Sequence, residues 1–224
     1  MKRVLLLAMS AAAMLAACVP DGPDEWSLDR DRIVAVRAEP PGLLPGDIGH
    51  LEVLLAHAGG RTTVEAPRTM SAASSPLFTA VHFNIDHYQI DGPDEAQLAS
   101  ARQELGLPDG VPVPLDVGVS VSGPLYATKR VLLGVAATNP VMPAVTIGGL
   151  APGATIELAA HDDRVDLLIE ATTVHWFTSC GELVDDREAS ATLVTGEACV
   201  GELVVVVRDG VTGVAWGVWT LSVR

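Results

Sequence analysis

Val111-Pro112-Val113-Pro114-Leu115-Asp116-Val117-Gly118-Val119-Ser120-Val121 is the stretch from which the fold is read. Its six branched apolar side chains recur at every second position, and a two-residue period puts all six on one face of a β-strand. Pro112, Pro114, Asp116, Gly118 and Ser120 then point the other way, and the prolines favour an edge strand. The same enrichment in β-branched or alternating apolar residues marks eight more strands. They are expected at 33–38, 50–57, 77–90, 126–137, 164–171, 173–178, 202–208 and 214–223. One helix interrupts them at about 93–105, with Pro93, Asp94 and Glu95 in its first turn, Leu98, Ala101 and Leu105 at helical spacing, and Gly106 as its C-terminal cap. It reads as a connector across one end of a sheet.

A repeat divides the chain. Gly42-Leu43-Leu44-Pro45-Gly46 recurs as Gly149-Leu150-Ala151-Pro152-Gly153, and each copy leads into an alternating run that closes on Ala-His, at Ala56-His57 and Ala160-His161. The offset of 107 positions is too long for a solenoid unit and about the size of one immunoglobulin-like sandwich. The expected fold is therefore all-β, two tandem immunoglobulin-like β-sandwich domains with one short helix in the first. The domains are expected at 28–138 and 139–224, joined by the proline-punctuated Thr138-Asn139-Pro140-Val141-Met142-Pro143. A fragment from about 142 to 224 is expected to fold on its own.

The amino terminus carries an address. Lys2 and Arg3 precede an apolar stretch from Val4 to Ala17, so residues 1–17 read as an export signal. The run to Val19 is too short for the roughly 20 apolar residues of a membrane-spanning helix. Leu15-Ala16-Ala17-Cys18 resembles the lipobox of bacterial lipoproteins, which implies cleavage before Cys18 and a diacylglycerol thioether on its sulfur. Residues 18–27 then form an acidic tether. Val19, rather than aspartate, after the lipidated cysteine points to the outer membrane more than the inner. With Cys18 acylated, Cys180 and Cys199 remain as a pair in an oxidising compartment, and a disulfide is expected. Closing a loop of about 20 residues stabilises the fold by roughly 3 kcal/mol in the chain-entropy model.

The sequence holds 28 acidic side chains against 14 basic, and that excess opposes binding to phosphate backbones, so no nucleic-acid partner is expected. Catalytic motifs are missing: there is no Gly-x-Ser-x-Gly elbow, no His-Glu-x-x-His helix and no glycine-rich loop ending in Lys-Ser or Lys-Thr. His82, Asn84 and Asp86 share a strand face and offer nitrogen and oxygen donors, yet solvated polar residues on an outer face explain them better than a metal. His161-Asp162-Asp163 and Asp185-Asp186 fall where turns are expected and lack a calcium-loop spacing. Asp209-Gly210 reads as a hairpin turn, with Gly213 available for positive φ. Trp216 and Trp219 are the binding candidates. Three positions apart on a strand, they face opposite ways, so one fills the core and the other is left to stack on a sugar, meet a partner or lie under the first domain.

Val34-Ala35-Val36-Arg37-Ala38-Glu39-Pro40, Ala127-Thr128-Lys129 with Asn139-Pro140, and Trp176 with Cys180 ahead of Val207-Arg208-Asp209-Gly210 and Trp216 together resemble the two-domain envelope lipoproteins of myxobacteria and related GC-rich bacteria. The resemblance implies an immunoglobulin-like fold and an envelope address, with no activity attached. The expected function is that of a lipid-anchored cell-envelope protein, not an enzyme, in a structural or protein-interaction role. Its membrane partner is reached through the lipid, no cofactor or metal is called for, and the further partner is an envelope protein or a glycan. A carbohydrate- or peptide-binding lipoprotein is the alternative, and a hydrolase the third reading.

Overall fold

The structure is a computed structural model describing residues 24–72, 76–121, 123–143, 145, 152–160, 164–171 and 173–224. The expected export signal, Cys18 and His161-Asp162-Asp163 lie outside the described residues. The chain runs through β1 (Arg32–Glu39), β2 (Gly42–Leu43), β3 (Ile48–His57), β4 (Arg61–Glu65), β5 (Thr69–Ala72), a 3-10 turn (Phe78–Ala80), β6 (Val81–Asn84), β7 (His87–Asp91), α1 (Glu95–Leu105), β8 (Val113–Ser120) and β9 (Tyr126–Leu133). It continues through β10 (Thr155–Leu158), β11 (Arg164–Leu168), β12 (Thr173–Thr178), β13 (Glu182–Val184), β14 (Ser190–Val194), β15 (Cys199–Arg208) and β16 (Val214–Val223).

Two sandwiches of one strand order result. The first faces a β2-β9-β8-β5 sheet with a β1-β3-β7-β6 sheet, β4 lying beside β3. The second faces β10-β16-β15-β12 with β11-β14-β13. In both, a short leading strand pairs in parallel with the last strand, Leu43 with Leu133 and Ile156 with Leu221, while the other ladders are antiparallel. This is the immunoglobulin-type arrangement, and Trp176 sits, fully buried, on the strand that carries the core tryptophan in that fold.

Each sandwich has its own core. Val113, Leu115, Val117, Val119 and Val121 are all 0% exposed, so the alternation that led the sequence reading is a core-facing strand. β8 is central rather than an edge, flanked by β9 and β5. The prolines are tolerated because β5 reaches only Val117–Ser120, leaving Pro114 opposite β9 alone. The helix starts at Glu95, so Asp94 is its N-cap and not part of its first turn: Asp94 accepts from the Gln97 N–H, Gln97 accepts from the Asp94 N–H, and Gly106 closes the helix at φ 66° as expected. Leu98 and Ala101 pack into the first core.

Two expectations are corrected in detail. The stretch 77–90 is a 3-10 turn and a hairpin, because the chain reverses at Ile85-Asp86 without any glycine to announce it. The pentapeptide repeat is out of structural register. Pro45-Gly46 leads out of β2, whereas Pro152-Gly153 leads into β10, the strand equivalent to β2. Both glycines take positive φ, 83° and 89°, so the likeness reflects a shared turn chemistry and not a shared place in the sandwich.

The sandwiches stack sheet on sheet. Val34, Ala35, Leu54 and Ala56 of β1 and β3 pack on Phe177, Val204, Val206 and Val214, with Trp216 and Val218 beside them. Leu203, Val204, Val205, Val206 and Val207 of β15 are consecutively buried because odd positions fill the second core and even ones fill this seam. An apolar run without alternation is what a strand covered on both faces requires. Polar clasps frame the seam. Glu202 Oε2 accepts from the Thr62 N–H at 2.8 Å and the Thr62 hydroxyl at 2.7 Å, and the Ser179 hydroxyl donates to the Gly60 carbonyl at 2.8 Å. Asn139 donates to the Ala38 carbonyl at 2.7 Å and accepts from the Val214 N–H at 2.9 Å. The end of the expected tether joins in, since Leu28 is 0% exposed and the Trp26 carbonyl and Leu28 N–H both bond to Thr178.

Candidate functional site

Cys180 and Cys199 form a disulfide with Cα atoms 5.9 Å apart, tying the turn after β12 to the start of β15. Trp219 is 1% exposed and fills the second core with Trp176 and Leu203. Trp216 faces the seam, and the Arg37 guanidinium lies 4.3 Å from its ring centroid, held there by Glu52. Of the three fates open to the outward tryptophan, Trp216 thus takes the last, lying under a side chain of the first sandwich. Gly210 rather than Gly213 supplies the positive φ in the β15–β16 turn, at 80°. Gly213 is there for close approach: a Cβ on it would meet Pro140 Cδ at 2.8 Å. Asp185 takes φ 61°, and the Asp186 carbonyl accepts from the Trp176 N–H, so this acidic pair serves a turn.

His82, Asn84 and Asp86 are brought onto the β6–β7 hairpin but do not converge on one point. His82 lies 3.6 Å from Asp91, Asn84 donates to Gln89 at 3.0 Å, Asp86 pairs with His87 at 2.6 Å, and Gln89 donates to Asp91 at 2.7 Å. The His87 bond holds the Asp86 carboxyl below the usual carboxylate range. No group of three His, Cys, Asp or Glu able to hold a metal occurs among the described residues.

These bonds brace the hairpin, and its other features are apolar. Phe83 and Tyr88 are cross-strand partners with ring centroids 5.0 Å apart in an edge-to-face pair. Ile85 at the tip is 91% exposed, Phe78 just before β6 is 64% exposed and Phe83 is 56% exposed. Ile85 also has φ 56°. With Asn84 and His87 paired on either side, it occupies the first turn position of a two-residue hairpin, where glycine is normally required. A β-branched residue there costs about 1–3 kcal/mol. Strain and full exposure of a large apolar side chain are both unfavourable for folding. Nothing in Asn84-Ile85-Asp86-His87 signals a turn, which is why the sequence alone predicts a single strand through Ile85.

A second feature opens at the seam. A groove of about 420 Å³ runs between Ile33–Val36 of β1, Ala127–Arg130 of β9 and the Arg208–Val214 turn, with Thr173 at its edge. Lys129 belongs to the inward face of β9 with Val131 and Leu133, is 6% exposed, and sends its ammonium out to the Thr212 carbonyl. Burial pushes that ammonium down to about 8, Asp209 partly opposes the shift, and Arg208 adds to it. Arg208 ends the seam face of β15 and is lowered from its ordinary value by burial. Asp209 Oδ1 is committed to the Val211 and Gly213 N–H groups of its own turn, at 2.7 and 2.9 Å. Arg130 is held two-pronged by Asp116. The two walls meet only through the stacking of the sandwiches, which sequence spacing does not reveal.

No protein-family model matches the sequence, and no curated protein matches it. Among solved structures, the N-terminal Ig1-2 module of the Drosophila receptor protein tyrosine phosphatase DLAR matches 87% of this chain and 99% of its own at 11% identity and a TM-score of 0.30. Drosophila N-cadherin EC1-3 matches 87% of this chain and 67% of its own at 10% identity and a TM-score of 0.27. The endo-fucoidan hydrolase MfFcnA9 of glycoside hydrolase family 107 matches 82% of this chain and 32% of its own, at 11% identity and a TM-score of 0.24. The immunoglobulin-like description rests on the strand order above.

Proposed function

We propose that this chain is a lipid-anchored protein of the cell envelope with a protein-interaction role, and that the β6–β7 hairpin is its contact surface. The observation that carries the reading is Ile85, a fully exposed apolar side chain on a strained turn, with the exposed Phe83 two residues before it. Strain of this kind persists where function uses it. The Asn84–Gln89–Asp91 bonds hold the hairpin in one shape before any partner arrives, which lowers the ordering cost of binding. The anchor rests on the lipobox at Leu15-Ala16-Ala17-Cys18, and Cys18→Ala is expected to move the protein out of the membrane fraction.

The contact is tested by placing a photo-crosslinking amino acid at position 85 in intact cells, with position 200 as the control. Val200 is 77% exposed and lies on β15, away from the hairpin. Discrete protein adducts are expected from position 85 and not from position 200. Equal or no capture at the two positions would refute the hairpin as the contact surface.

A further inference from the structure

Anions should be repelled from most of this surface, since the sequence has 28 acidic side chains against 14 basic. The seam groove is the exception. It gathers Lys129, Arg130 and Arg208, and the single carboxylate lining it, Asp209, has one oxygen engaged by two N–H groups of its own turn. Arg130 is neutralised by Asp116, but no ion pair joins Arg208 or Lys129 to a carboxylate among the described residues. Two cations partly withdrawn from water, with no carboxylate in direct ion-pair contact and only the charge of Asp209 nearby, carry an electrostatic cost that an oxyanion would relieve. An apolar strip is supplied by Ile33, Val34 and Ala35 of β1 and by Val214, and Thr128, Thr173 and Thr212 add hydroxyls to the lining. The volume, about 420 Å³, is that of a small-molecule site, and such sites favour the junctions between domains.

We propose that the seam groove binds a small amphipathic oxyanion, with its charged head between Arg208 and Lys129 and its apolar body along β1. An aliphatic carboxylate and an alkyl phosphate share that chemistry. Arg208 offers the planar fork that matches either head, and Lys129 a point charge. The Thr212 carbonyl, which now takes the Lys129 proton donor, keeps the ammonium aimed at the groove. The proposal does not depend on the hairpin, which lies in the first sandwich outside the groove lining.

The test titrates the chain lacking residues 1–18 with octanoate, octyl phosphate and octanol, followed by calorimetry. At least one of the two anions is expected to bind at a single site ten-fold or more tightly than octanol, and the tighter of the two identifies the head group. Arg208→Gln should weaken that anion ten-fold or more, while Arg208→Lys retains most of the affinity. Lys129 supplies an independent reading, because it is the one lysine after residue 2. Its single side-chain signal after reductive ¹³C-methylation should shift on addition of the anion. A far-ultraviolet spectrum matching that of the parent chain shows that Arg208→Gln is folded. Octanol binding as tightly as both anions, no anion binding, or unchanged affinity in folded Arg208→Gln would overturn the proposal.

Discussion

Val205 and Val206 are adjacent on β15 and both 0% exposed, yet they face opposite ways, Val205 into the second core and Val206 into the seam. Val206 lies in register with His175 on one side and Trp216 on the other, at the middle of the packed face. Truncating either valine to alanine removes two carbons from a dry site. At about 0.8 kcal/mol per buried carbon plus a partly collapsed cavity, each should cost about 2 kcal/mol. For a chain of this size that is roughly 4–8 °C in Tm. Val200→Ala, on the exposed start of the same strand, should stay within about 0.5 kcal/mol. Urea denaturation of the three variants, with the parent chain as reference, reads the free energies, and thermal melts read the shifts in Tm. A sheet with one solvated face would give a different pattern, in which Val205→Ala is costly and Val206→Ala resembles Val200→Ala. That result would refute the stacking.

Three further outcomes follow from single sites. Cys199→Ser should lower stability by about 3 kcal/mol through loss of a cross-link spanning 19 positions, read as a lower urea midpoint under non-reducing conditions. Ile85→Gly should raise stability by about 1 kcal/mol, because glycine takes φ 56° freely and its extra unfolded-state entropy offsets only part of the relieved strain; a drop in stability would show that the turn is not strained. Lys129 carries a folded-state pKa of about 8 against the usual 10.5, so the native state binds fewer protons than the unfolded state between those values. Stability should therefore rise with pH across that window, and the penalty of the buried charge is fully present below pH 8. After allowance for solvent at the groove mouth, the parent chain should gain about 1 kcal/mol relative to Lys129→Met between pH 8 and 10, measured by paired urea melts.

What could be read from sequence depended on whether the signal was local. The alternation from Val113 to Val121 and the Gly106 stop are properties of neighbouring residues, and each appears where expected. The short strands β4, β5, β13 and β14 carry polar or mixed residues and owe their place to the ladders beside them, so they gave no pattern of their own. The apolar run Leu203–Val207 did hold the information that β15 is covered twice, but an isolated run cannot say what covers it. The covering sheet is β1 and β3, about 150 positions earlier, and with it come the groove, the Arg37–Trp216 contact and the docking of Trp26 to Leu28. A fragment from 142 to 224 would lack that cover. It would present Phe177, Val204, Val206, Val214, Trp216 and Val218 on one sheet face, and it is expected to self-associate rather than remain a well-behaved monomer.

The two sandwiches form one stacked body, and the seam groove exists only in that arrangement. Small-angle X-ray scattering on the monomeric chain lacking residues 1–18 tests it without any substitution. A compact body of about 200 residues has a radius of gyration near 17 Å, whereas two sandwiches set end to end, each about 13 Å in radius of gyration and about 40 Å apart, would give roughly 24 Å. The stacked account predicts a value near 17–18 Å with a single-peaked distance distribution; a value near 24 Å, or a distribution with a second maximum near 40 Å, would contradict it.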